Sequence, residues 1–105
     1  MTLAELNSRI FSECLHTPFQ VEIPGAEPLT IELFAVEEKN YSPQLEQFSI
    51  MFHGPANRLL PQATYPVEHA KLGKFLLFLV PVGPDEHGMC YQAVFNRRRA
   101  QAPPA

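Results

Sequence analysis

At 105 residues the chain has the length of one domain, enough to bury a single core without disulfide or metal staples. A net charge of −3 provides no basic field, which weighs against nucleic acid as the main partner. The 11 prolines against 5 glycines exclude an architecture of long helices and favour short elements held by fixed turns.

Thr2-Leu3-Ala4-Glu5 has capping-box spacing. Leu3, Leu6 and Ile10 follow at helical intervals, with Phe11 and Cys14 on the flank of the stripe. A helix over residues 3–14 is expected, closed before Thr17-Pro18 because proline disfavours helical geometry in the residue before it. A first strand over 19–23 puts Phe19, Val21 and Ile23 on one face. After the turn at Pro24-Gly25 and Pro28, a second strand from 29 to about 38 turns Leu29, Ile31, Leu33 and Ala35 inward and Phe34 and Val36 the other way. Residues 37–47 read as an exposed loop.

The clearest alternation is Phe48-Ser49-Ile50-Met51-Phe52-His53, in a third strand over 46–53 that stops at Gly54-Pro55. Residues 58–61 form a connector whose leucines cover one end of the fold. The fourth strand, 63–69, carries Tyr65, Val67 and His69 on one side, and Pro66 marks it as an edge or bulged strand. The fifth, 74–82, is apolar on both faces and so needs a covering layer on each. Pro84-Asp85-Glu86-His87-Gly88 is a hairpin loop, and the sixth strand, 89–95, turns Tyr91, Ala93 and Phe95 inward. These elements predict a mainly β domain, a small six-stranded antiparallel barrel or sandwich with one N-terminal α-helix packed on it. It occupies residues 1–96, followed by a disordered Arg/Pro/Ala tail over 97–105.

Motifs with chemistry are sparse. No histidine stands in an His-x-His or His-Glu-x-x-His arrangement, and no serine sits in a Gly-x-Ser-x-Gly elbow. His53 and His69 close the third and fourth strands and would approach each other if those strands paired, forming a pocket with Tyr65. Asp85, Glu86, His87 and Cys90 are the densest group of potential ligands, but they supply only half of a zinc site, so no metal or other cofactor is expected. Cys14 and Cys90 read as reduced, packed side chains. Phe34, Val36, Leu76, Phe78 and Val80 would form an outer apolar patch, covered by the Leu3/Leu6/Ile10 stripe or free to bind.

At residues 48–55, 60–65, 72–73, 78–83 and 91–96 the sequence resembles a family of small bacterial proteins of unknown function, over residues 3–96. Ala63 stands where glycine is more usual in that family. The resemblance implies a compact single domain, no assigned activity, no catalytic residues, and a loose association with phage-tail-like collar and fibre proteins.

The expected function is that of a non-enzymatic protein-binding or assembly accessory domain, with another protein or a second copy as partner. The alternative is a small-molecule-binding barrel with weak hydrolytic activity built on His53, Tyr65 and His69. A third option takes nucleic acid through Arg97, Arg98 and Arg99. The longest apolar run, 75–82, is far below the ~20 residues a membrane helix needs, and the N-terminus lacks a basic stretch followed by an apolar run. A soluble, cytoplasmic protein without a membrane partner is expected.

Overall fold

The structure, a computed structural model, describes residues 3–39 and 43–98. A 3-10 turn, Leu3–Glu5, and helix α1, Ser8–Ser12, precede six strands. These are β1 Pro18–Val21, β2 Leu29–Lys39, β3 Leu45–Gly54, β4 Ala63–His69, β5 Gly73–Asp85 and β6 Gly88–Arg98. All pairings are antiparallel, and the order β1-β2-β3-β6-β5-β4 closes into a ring through β1 and β4. Closure resolves the expected barrel or sandwich in favour of the ring, although β2 beyond Leu33 pairs only with β3 and β5 beyond Leu79 only with β6. Ile31, Ile50, Leu77 and Tyr91 share its interior, all essentially excluded from solvent.

The N-terminal segment is two short pieces rather than one helix over 3–14. Asn7 caps α1, its Oδ1 accepting the Ile10 N–H at 2.9 Å. Thr2 of the anticipated capping box lies outside the described residues. Burial explains the break. Leu6 and Phe11 are both fully buried, yet on a continuous helix they would point about 140° apart. Interrupting the helix at Leu6-Asn7 lets both enter the same end of the ring. Phe11 packs there against Phe48, Phe75 and Phe95, with ring centroids 5.6–6.3 Å away.

Arg97 closes this end. It belongs to β6, not to a tail. Its guanidinium stands over the Phe48 and Phe95 rings at 5.9 and 5.6 Å and donates to the Leu3 carbonyl at 3.0 Å, to the Leu6 carbonyl, and to Glu46 at 2.9 Å. Arg98 is also a strand residue, whereas the rest of the expected tail, 99–105, lies outside the described residues. At the opposite end the buried Tyr91 hydroxyl accepts the Leu60 N–H at 2.9 Å. Leu60 covers that end as expected, but Leu59 points to solvent.

Two β-bulges break the simple alternation. In β2 the register against β3 shifts between Leu33 and Ala35, so Phe34 is the extra residue. Beyond it Val36 pairs with the inward Ile50 and packs on the core, exchanging the faces expected for Ala35 and Val36. In β5 the register against β6 shifts between Pro81 and Gly83, making Val82 the extra residue. The anticipated loop at 84–88 tightens to Glu86-His87, because β5 continues until Asp85 pairs with Gly88. Pairing also extends β2 and β3 into the segment expected as a loop, with Lys39 opposite Gln47.

Candidate functional site

The ring separates His53 from His69. β3 pairs with β2 and β6, whereas β4 pairs with β1 and β5, so the two strands are not neighbours. His69 points inward and is buried, with its ring 4.4 Å from that of Phe19. Its Nδ1 accepts the backbone N–H groups of Lys71 (3.0 Å) and Leu72 (3.2 Å). Nε2 therefore carries the proton and donates to Thr17 Oγ1 at 2.8 Å, while the Thr17 hydroxyl donates to the Cys14 carbonyl. Burial, and secondarily Lys71, lowers the His69 pKa. It is a neutral structural histidine tying the start of β1 to the end of β4. Tyr65 donates its hydroxyl to the Pro61 carbonyl, and burial raises its pKa. Thus His53, Tyr65 and His69 line no common pocket.

The apolar set also divides. Phe34 and Val36 lie on β2, three strands from β5 in either direction round the ring. Leu76, Phe78 and Val80 form the outward row of β5, where Leu76 is 58% and Phe78 49% exposed. The N-terminal segment enters the end of the ring and leaves this row bare. Sequence reasoning missed Val82 and Val94, 48% and 66% exposed, which extend the wall along β5 and onto β6. The outward residues from Leu76 to Val82, with Gln92 and Val94 beside them, carry no charge.

A second constellation lies on the outer face of β3 and β6. His53 pairs directly with Cys90 across these strands and with Glu32 on its other side. The β5 bulge aligns Gly83 with Cys90, and the tight hairpin folds Asp85 back over the pair. His53 Nε2 lies 2.7 Å from Asp85 Oδ2, and Asp85 Oδ1 accepts the His87 N–H at 2.8 Å. The His53 hydrogen bond first, then that from the His87 backbone, hold the Asp85 carboxyl down at about 2. Ionised Asp85 can only accept, so Nε2 is the donor. The buried Cys90 Sγ lies within 4.8 Å of the Asp85 carboxylate, and burial first, then the neighbouring Asp85, push its thiol pKa up. A thiol so held keeps its proton and is a poor nucleophile.

The bulge in β2 turns Phe34 onto the His53 ring, with centroids 3.8 Å apart and planes within 13°. The His87 ring approaches His53 edge-on at 5.4 Å. His16, Glu32, Phe34, His53, Asp85 and His87 line a surface hollow of about 480 Å³. Sequence reasoning considered Asp85, His87 and Cys90 together but missed His53, which only strand register supplies. Gly54 and Gly88 held the available signal. Gly88 adopts φ +137°, and a Cβ there would stand 2.3 Å from the Gly54 carbonyl oxygen. Glycine at 88 lets the β5–β6 hairpin close onto the end of β3, whereas a Cβ at Gly54 would stand 2.9 Å from the Tyr91 ring.

These features define a closed six-stranded antiparallel ring with an N-terminal plug, an uncharged apolar wall, and a His/Asp/Cys cluster beside a hollow. The chain belongs to a family described as a domain of unknown function (DUF6916), whose model matches residues 6–95. No curated protein and no solved structure shows significant similarity to it.

Proposed function

We propose that this chain is a non-enzymatic protein-binding domain, an accessory in a larger assembly, which docks through the outer wall of β5 and β6. The observation that carries the reading is the combination of Leu76, Phe78, Val82 and Val94 exposed together on a surface without charge. Charge depletion around exposed aromatic and aliphatic side chains is the compositional mark of an interface core. The wall is the outer face of a sheet, so a partner meets it face to face, with an apolar face of its own. The partner is another protein, with a second copy as its simplest form. A cytoplasmic location accompanies this reading. Among the described residues no helix is long and apolar enough to cross a membrane. The connection with bacterial phage-tail-like collar and fibre assemblies rests on sequence resemblance alone.

The experiment compares the wild type with the double variant Leu76→Asp/Phe78→Asp by sedimentation velocity and by pull-down from source lysate. Association of the wild type, with itself or with a discrete partner, should be lost in the variant while its melting transition persists. A wild type that remains monomeric and recovers no more protein than the variant overturns the reading.

A further inference from the structure

We propose that His53 Nε2, a carboxylate oxygen of Asp85 and Cys90 Sγ form a binding site for one divalent transition metal of the zinc class. The three donor atoms come from β3, the end of β5 and β6, and all lie within 4.8 Å of one another. Zinc binds such atoms at about 2.0–2.3 Å, which places tetrahedral ligands roughly 3.3–3.6 Å apart. The His53–Asp85 separation of 2.7 Å must open and the separations to Cys90 Sγ, each within 4.8 Å, adjust to about 3.5 Å, within the reach of side-chain rotation.

The donor chemistry selects the class of ion. One imidazole, one carboxylate and one thiol suit zinc and its neighbours, whereas calcium and magnesium favour all-oxygen sites. His53 directs a hydrogen bond at the Asp85 carboxylate with Cys90 Sγ close by, so a proton occupies the place a cation would take. On binding, the Cys90 S–H proton leaves to solvent and the thiolate forms the metal–sulfur bond. His53 binds as neutral imidazole with its proton on Nδ1. No electron is transferred.

Two independent features fit the assignment. Phe34, displaced by its bulge, stacks on His53 and holds the ring plane that carries Nε2 to Asp85. The hollow bounded by His16, Glu32 and His87 gives an ion a path from solvent and room for water in the fourth position. The apolar wall takes no part, so this inference is independent of the proposed docking.

The test uses the tag-free, metal-stripped full chain titrated with Co²⁺, followed by competition with Zn²⁺. One Co²⁺ per chain should produce a near-ultraviolet thiolate-to-cobalt charge-transfer band that Zn²⁺ abolishes. Cys90→Ser should remove the band, and His53→Gln and Asp85→Asn should each weaken Zn²⁺ binding about tenfold or more. His53 lies on the outer face, so His53→Gln keeps the test open even if Cys90→Ser does not fold. Absence of the band in the wild type, its persistence in folded Cys90→Ser, or unchanged Zn²⁺ affinity in His53→Gln overturns the proposal.

Discussion

Asp85 shows how one carboxylate organises its surroundings. It accepts from His53 and from the His87 backbone, and these donors hold it ionised down to about pH 2, against an ordinary value of 3.8. A carboxylate with a depressed folded-state pKa stabilises the fold above its unfolded value, and that stabilisation is lost as pH falls toward the folded value. Urea unfolding of the wild type and Asp85→Asn should therefore show their stability difference shrinking between about pH 4 and pH 2. His69 gives a dependence of the same sign in a higher pH window. Its pKa is lowered from 6.5, so the unfolded chain takes up a proton that the folded chain refuses. The contribution of His69 is intact above pH 6.5 and erodes as pH falls below it. In His69→Gln this part of the pH dependence should vanish from the denaturation midpoints.

At the scale of elements, the bulges decide what each strand presents. An inserted residue shifts every later side chain to the other face. One insertion sends Val36 into the core and Phe34 onto His53, and the other, at Val82, lets the β5–β6 hairpin return over β3. The hairpin closes because Gly88, lacking a side chain, can approach the Gly54 carbonyl. Gly88→Ala places a Cβ against a backbone oxygen at a φ that side chains rarely adopt. It should cost about 1–3 kcal/mol in urea unfolding. It should also separate His53 from Asp85, visible as changed His53 ring chemical shifts by NMR at a fixed pH.

The whole molecule is held by one aromatic-rich interior. Phe19 and Phe52 meet edge to face at 5.1 Å, Phe48 and Phe95 stack at 4.4 Å, and Phe11 joins the second pair from the N-terminal plug. Every strand of the ring contributes to this core, so no part can open without exposing side chains of the rest. Unfolding should be a single cooperative transition. Phe52→Ala should lower its free energy by about 3–5 kcal/mol, measured by urea denaturation with an unchanged denaturant slope.

Strand number, strand order along the chain and most of the inward row could be read from residues alone. Period-two alternation is a local property, and Ile31, Ile50, Leu77 and Tyr91 carry it without reference to neighbours. Exposed apolar residues on β5 were legible for the same reason, because a strand with two apolar faces shows it in one dimension. Where the N-terminal stripe docks was not local, since only the open end of the ring could receive Leu6 and Phe11. Nor could the sequence place Phe34 over His53, which required an insertion visible only against a partner strand. The His53–Asp85–Cys90 cluster belongs to the same category. Its members lie more than thirty residues apart along the chain at the extreme, and only hydrogen-bonded register sets His53 opposite Cys90. Local patterning gives the face of a side chain only between bulges, whereas cross-strand pairing decides where the alternation breaks and which neighbours each side chain meets, and with them any chemistry.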